Sequence, residues 1–276
     1  MDIEQIAENF PGKNIQLNSR EGGRVLISPY GAHVLSWIPT GSDERLFLSP
    51  KTEFRAGVAI RGGVPVVFPQ FAGFGNLPKH GFARISPWKM MQVTEDSALF
   101  WLSESDSTRL IWPHRFLAEY SIRLENGRLE MALSVKNTDQ VPFTFTAALH
   151  TYLQVKSVAE TDVLGLNGLI YRDSALGESE ILDTSDRVSF TSEVDRIYLD
   201  TPSEIRLVEK DRELSIGSEG FPDTVIWNPG LEKCARLNDM EPDGFRQFVC
   251  VEAAVIGKPV QLLPGNSWRG KQVLTV

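Results

Sequence analysis

Apolar residues recur at every second position in this chain, and that period constrains the fold more than any other feature. At 128–136, Leu129, Met131, Leu133 and Val135 alternate with Arg128, Glu130, Ser134 and Lys136. Such alternation makes a continuous apolar surface only on a half-buried β-strand with one wet face. Alternating or β-rich runs recur at 24–27, 33–37, 116–124, 143–155, 204–208, 213–216, 224–227, 248–251 and 272–276. Asn126-Gly127 separates two runs, which predicts a hairpin with a type I′ turn. Lys210-Asp211-Arg212 is placed to join another pair. Helical spacing is confined to Ile3, Ile6, Ala7 and Phe10, where Pro11-Gly12 would stop one short helix. The charge-rich stretch 183–195, punctuated by Phe190 and Val194, reads as a loop or short helix. Short strands with polar turns predict an all-β, mainly antiparallel sandwich or barrel. With no internal repeat or composition break, residues 1–276 form one expected domain.

Length and charge narrow the function classes. A chain of 276 residues can bury roughly 70–75% of its unfolded surface, so it needs no disulfide or structural metal to fold. Cys234 and Cys250 have neither a disulfide framework nor metal-ligand spacing, which points to a reduced, cytoplasmic protein. Against 36 Asp and Glu, 28 Lys and Arg leave a net charge of −8, so no nucleic-acid partner is expected. The segment MDIEQIAENF lacks the basic and apolar regions of a signal peptide. No apolar run reaches the ~18–20 residues of a membrane span, so no membrane partner is expected. Nothing such as a heptad calls for association, and a monomer is the expectation.

Three places could carry chemistry. The segment from Arg61 to Arg84 is dense in Gly and Pro, interleaved with Phe, His and two Arg. Gly permits close backbone approach and Pro stiffens a loop. This suits either a small polar ligand or a core-crossing loop whose arginines satisfy buried carbonyls. Alternation places Thr144, Thr146, Ala148, His150, Tyr152 and Gln154 on one strand face and Phe145, Ala147, Leu149 and Leu153 on the other. His150 thus shares a polar face, and histidine gives and takes protons near neutrality. Glu252 ends the apolar run 248–251 among small neighbours, Cys250 and Ala254. It is either an exposed strand end or a desolvated carboxyl with a raised pKa, a better general base. The four histidines (33, 80, 114 and 150) form no HxH or HExxH, so no metal site is expected. Nucleophile-elbow, P-loop and dinucleotide-binding patterns are missing. Cys250 has no basic neighbour in sequence and reads as a buried thiol.

Five segments in order carry a more specific signal: RGGVPVVFPQFAGFGNLPKHGFAR at 61–84, IWPHRF at 111–116, ALHTYLQV at 148–155, FPDTVIWNPG at 221–230 and VCVEAAV at 249–255, closed by Pro-Gly-x-x-Trp at 264–268. Together they resemble the hexose-6-phosphate mutarotase branch of the aldose 1-epimerase family over nearly the whole chain. The resemblance implies a large β-sandwich of the galactose-mutarotase type. It also implies cofactor-independent interconversion of the α and β anomers of a hexose 6-phosphate, glucose 6-phosphate foremost. On the same basis His150 is the acid to the ring oxygen and Glu252 the base at O1. His80 contacts the sugar ring, Arg61 and Arg84 hold the 6-phosphate, and Asp195 and Asp223 meet sugar hydroxyls. Lys79 stands where the family often has Gln, which adds a phosphate or hydroxyl contact, and Gln70 replaces a frequent aromatic. Two other readings stay open. An epimerase of unphosphorylated hexoses would keep His150 and Glu252 without needing both arginines. A non-catalytic carbohydrate-binding sandwich would need neither proton-transfer group.

Overall fold

The hairpin marked by Asn126-Gly127 forms, with Phe116–Glu125 paired antiparallel to Arg128–Asn137. Only Gly127 takes a positive φ, +63°; Asn126 does not. The turn is therefore not type I′, which needs positive φ at both central residues. The Val276 N–H donates to the Gly127 carbonyl at 3.0 Å, so the chain's C-terminal end helps orient this turn. The computed structural model describes residues 13–175, 177 and 179–276. The expected helix over Ile3 to Phe10 lies outside the described residues.

This hairpin sits in a nine-stranded sheet, where Arg128–Asn137 pairs with Ser267–Thr275, followed by Glu213–Glu219 and Glu204–Val208. A second sheet of eight strands is centred on Phe248–Leu262, flanked by Asp223–Asn228 and Phe143–Leu149. Three strands, Ile15–Asn18, Arg24–Ser28 and His33–Ile38, form a third. All strand–strand ladders among the described residues are antiparallel, as the sequence period predicts. Leu129, Met131, Leu133 and Val135 enter the same core as Val249, Val251, Ala253 and Val255 of the central strand. Each Leu, Met or Val among them, fully buried, contributes about 1.5–3 kcal/mol.

The central strand is longer than the run 248–251, and every residue from Phe248 to Ile256 is buried. Its second face carries Phe248, Cys250, Ala254 and Ile256 into a separate cluster with Val225, Trp227, Ala148 and Tyr152. A strand covered on both sides shows no alternation, so hydropathy could not mark its end. Similarly, 183–195 is not a helix: it holds the short strand Arg187–Ser189 and runs into Val194–Tyr198. The edge strand Lys89–Val93 is exposed throughout, leaving no period to read. Among the described residues no helix is long and apolar enough to cross a membrane.

Residues 61–69 thread from the three-stranded sheet to the eight-stranded one. The Gly63 N–H donates to Phe47 O at 2.7 Å, its carbonyl accepts from Tyr152 N–H at 2.9 Å, and Val66 and Val67 pair with Leu149 and Ala148. A Cβ on Gly62 would lie 2.3 Å from Phe47 O, and one on Gly63 2.2 Å from Val34 O. Only glycine allows this approach, at φ of +118° and +59°. His33, fully buried, donates from Nε2 to the Gly62 carbonyl at 2.8 Å.

Burial lowers the His33 pKa from 6.5 to about 4, with Arg84 adding to the effect. A histidine with a depressed folded-state pKa contributes stability in full above its unfolded value and loses it as pH falls towards 4. The drop from 6.5 to about 4 corresponds to about 3 kcal/mol. Denaturant midpoints at pH 7.5 and 4.5 will therefore differ markedly in the wild type and less in His33→Asn. An unchanged difference would mean that His33 does not titrate on unfolding.

Candidate active site

Strand register alone brings together a row of side chains on the outer face of the eight-stranded sheet. Asp195 pairs with Trp227, Trp227 with Cys250, and Cys250 with Tyr152. One step along, Ile197 pairs with Val225 and Val225 with Glu252. A further step places Asp223 beside Ala254 and Ala254 beside Ala148. Glu252 is thus flanked along its own strand by the small side chains of Cys250 and Ala254. Far from being an exposed strand end, Glu252 is 1% exposed.

The strand Phe143–Leu149 and the short strand Tyr152–Gln154 are separated by His150 and Thr151, where the expected single run 143–155 breaks. The cause lies in bonding to other segments: His150 N–H donates to Pro65 O, and Val251 N–H donates to Thr151 O, both at 3.0 Å. The break aims the imidazole at the central strand, with His150 Nδ1 3.3 Å from Glu252 Oε1. The ring lies parallel to Tyr152, centroids 4.8 Å and planes 7° apart, and meets Trp227 edge-on at 5.9 Å. Glu252 Oε2 and His150 Nδ1 are buried without a hydrogen-bond partner among the described residues. Burial pushes the Glu252 pKa well up, with Asp195 adding to it and Arg84 opposing. Burial pushes His150 well down, reinforced by His80, Arg84 and Arg61. Both shifts favour a carboxylic acid beside a neutral imidazole. That pair holds the same number of protons as a carboxylate beside an imidazolium, so one internal proton transfer interconverts them.

His80 sits next to the pair, its ring centroid 5.6 Å from that of His150. The Ala72 N–H donates to His80 Nδ1 at 3.3 Å, so the ring proton is on Nε2. Burial, then Arg84, Lys79 and Arg61, hold the pKa of His80 at about 3, so it is a neutral donor at neutral pH. The loop carrying it is tied down by Gln70, which donates to Leu77 O at 2.9 Å and accepts from Leu77 N–H at 3.1 Å.

Charged side chains face this group. Arg61 binds Asp239 through Nη2 at 3.0 Å and Nε at 3.1 Å, and donates from Nη1 to the Tyr152 hydroxyl at 3.0 Å. Arg84 is less committed: Nη2 donates to Lys79 O at 3.1 Å, while its Nε has no partner among the described residues. Arg84 interacts electrostatically with Tyr152, Arg61 and Glu252, which places it at the same site. Lys79 is exposed and feels Lys233, Arg84, Asp195 and Arg61. Asp195 lies 3.4 Å from Lys233 Nζ, which also binds Glu193 at 2.6 Å.

His150, Glu252, His80, Arg61, Arg84, Lys79 and Asp195 are therefore gathered at one place. Asp223 is not available in the same way. Its Oδ2 accepts from the Ile256 and Gly257 N–H groups at 2.6 and 2.8 Å, and its Oδ1 from Asp200 N–H at 3.4 Å. These bonds staple the bulge where register shifts between Val255 and Val260, so the Asp223 carboxylate acts as a backbone clamp. Asp223→Ala is expected to lower stability by about 1.5–3 kcal/mol, the loss of hydrogen bonds to a charged group. Substrate KM in the folded fraction will stay near the wild-type value if the clamp is its role; a large KM increase at unchanged stability would instead assign it to sugar binding.

Sequence reading missed Tyr152, Trp227, Lys233 and Asp239 as members of the site. Tyr152 was detectable from its face, shared with His150. Asp239 carried no local signal, because its partner Arg61 is far away in the chain. Cys250 lies in the row with its pKa raised by burial, then by Glu252, as an unreactive thiol. Among the described residues no three or more His, Cys, Asp or Glu side chains are grouped to hold a metal ion.

Comparison with known proteins converges on one family. The family described as Aldose 1-epimerase matches residues 13–275. The chain is 36% identical over 262 residues to a "Putative glucose-6-phosphate 1-epimerase" from Cenchrus ciliaris, covering 89% of this chain and 79% of that protein. It is 37% identical over 233 residues to a protein of the same name from Escherichia coli strain K12, covering 81% and 77%. Among solved structures, "a putative mutarotase (YeaD)" from Salmonella typhimurium superposes with a TM-score of 0.87 at 31% identity, covering 95% of this chain and 89% of that one. A galactose mutarotase-like protein from Lactobacillus casei shares the fold at 17% identity, with a TM-score of 0.75 and coverage of 95% and 99%.

Proposed function

The chain belongs to the aldose 1-epimerase family, whose members are isomerases, and we propose that it interconverts the α and β anomers of a hexose 6-phosphate, glucose 6-phosphate foremost. The observation that carries this reading is the buried His150–Glu252 pair at 3.3 Å beside two arginines. Opening a pyranose requires a proton delivered to the ring oxygen and another removed from the O1 hydroxyl. His150 as imidazolium serves the first step and Glu252 as carboxylate the second. Rotation about C1–C2 of the open aldehyde presents its other face, and the same groups close the ring in reverse. The reaction is nearly thermoneutral, so each group must return its proton readily, and their shared proton suits that demand. His80, with its proton on Nε2, is a neutral donor for a sugar oxygen. Asp195 is placed to accept from a hydroxyl, and Lys79 to meet a hydroxyl or the phosphate.

Arg84 is the main phosphate ligand in this reading, because its guanidinium keeps donors to spare. Arg61 adds charge while bound to Asp239 and Tyr152. Arginine suits phosphate through its planar, bidentate donors. Two buried free thiols, Cys234 and Cys250, support a reducing compartment such as the cytoplasm.

Anomer exchange measured at equilibrium by two-dimensional NMR tests the reading, with glucose 6-phosphate, glucose and galactose in parallel. Acceleration of the phosphorylated sugar, lost in His150→Ala, is the expected result. Acceleration of the free sugars alone would make the protein a general aldose epimerase. No acceleration of any sugar would leave a carbohydrate-binding sandwich.

A further inference from the structure

The cations assigned to the phosphoryl end and the groups that move protons are joined through one side chain. The Tyr152 hydroxyl accepts from Arg61 Nη1 at 3.0 Å, and its ring lies flat against His150 at 4.8 Å and 7°. Tyr152 is 2% exposed and is held by Phe248 and Trp227 at ring distances of 5.3 and 6.0 Å. Glu252, His80 and Trp227 also surround the imidazole, at 3.3 Å from Nδ1 and at ring distances of 5.6 and 5.9 Å. Arg61 is itself anchored by Asp239. A continuous packed chain thus runs from Asp239 through Arg61 and Tyr152 to His150 and Glu252.

We propose that the substrate's phosphoryl group promotes proton transfer as well as binding, and that Tyr152 is the positioning residue connecting the two. The inference rests on the hexose 6-phosphate reading above. A dianion seated against Arg84 and Arg61 fixes the Arg61–Tyr152 bond and with it the plane of the imidazole. Its charge also offsets the cations that face His150. The charged and titratable groups around His150 are Arg84, Arg61, His80 and Glu252; Asp195 faces Glu252, and Cys250 faces Tyr152. Without an anion, the two arginines oppose the imidazolium that the reaction needs. Tyr152 stays a phenol because burial raises its pKa, although Arg61 pulls the other way. Interactions with a remote, non-reacting part of a substrate raise turnover when they are spent on arranging the reacting groups. A dianion supplied as a separate piece should then act in the same way.

The test is anomer exchange of unphosphorylated glucose by the full chain, with phosphite dianion added at constant ionic strength against a chloride control. Phosphite should raise kcat/KM for glucose about tenfold or more, a change of about 1.4 kcal/mol. It should also carry the high-pH limb of the His150–Glu252 pair to higher pH, and compete with glucose 6-phosphate. In Tyr152→Phe, which keeps the stacked ring but removes the bond to Arg61, activation should fall below about twofold while phosphite still competes. Competition without activation in the wild type would overturn the proposal and leave the hexose 6-phosphate reading standing. Full activation in Tyr152→Phe would overturn the role of Tyr152. Failure to accelerate glucose 6-phosphate itself would overturn the underlying reading and this inference with it.

Discussion

Glu252→Gln is expected to lower the rate of catalysed anomer exchange about 10²–10⁴-fold, the range for a lost general base. The amide keeps the shape of the carboxyl and can donate or accept a hydrogen bond, but it cannot take the O1 proton. Substrate affinity should therefore change little, and the loss should fall on kcat. The fold should tolerate the change well, because burial and the nearby Asp195 already favour the uncharged side chain. The sign of the stability effect follows from the raised pKa. A buried carboxyl that resists ionisation costs stability as pH rises past its unfolded value of 4.5. The variant should gain in thermal midpoint relative to the wild type at pH 8, and gain less at pH 4. NMR exchange rates with parallel thermal melts measure both effects. A kcat within tenfold of wild type would assign the base to another group.

Arg84→Ala is expected to cost about 1.5–3 kcal/mol of transition-state binding for glucose 6-phosphate, the range for hydrogen bonds to a charged group. This corresponds to a 10- to 10²-fold loss in kcat/KM, on the order of tenfold per 1.4 kcal/mol. For glucose no loss is expected, since no phosphate is present to lose its partner and one of the cations opposing the His150 imidazolium is gone. Arg84 rather than Arg61 is the informative choice because their bonds differ. Arg61 supports Tyr152 and is paired with Asp239, so removing it would disturb His150 as well. Among the described residues the Arg84 guanidinium has a single hydrogen bond, to Lys79 O. Raising ionic strength should weaken glucose 6-phosphate binding in the wild type more than in the variant. Equal losses for phosphorylated and free sugar would place Arg84 in the architecture of the site instead of at the phosphate.

Much of the site was legible before its geometry was known, though unevenly. The assignment of Thr144, Thr146, Ala148, His150 and Tyr152 to one face agrees with the clustering of Ala148 and Tyr152 away from the core that takes Phe145, Ala147 and Leu149. The family motifs led to His150, Glu252, His80, Arg61, Arg84, Lys79 and Asp195, which the structure gathers. Asp223 came from the same kind of match, yet two backbone N–H groups at a bulge had claimed its carboxylate. A bulge is a mismatch between two strands, so neither strand carries its signature alone. The type I′ turn was likewise not decided by Asn126-Gly127 alone: only Gly127 takes a positive φ, and its carbonyl is bonded by Val276, remote in the chain.

What the sequence determined by itself is the direction each side chain takes relative to its own strand, because the pleat is local and repeats every two residues. It also determined, through that period, that the chain would build mainly antiparallel sheets. Only the tertiary structure decided which strands became neighbours. The 3.3 Å contact between His150 and Glu252 requires Phe143–Leu149 to lie against Phe248–Leu262. The opposing pKa shifts of that pair need burial first, then His80, Arg84 and Arg61 acting on His150 and Asp195 acting on Glu252, all delivered from other segments. A carboxyl becomes a useful base through the dielectric and charges around it, and those surroundings are made by residues distant in the chain.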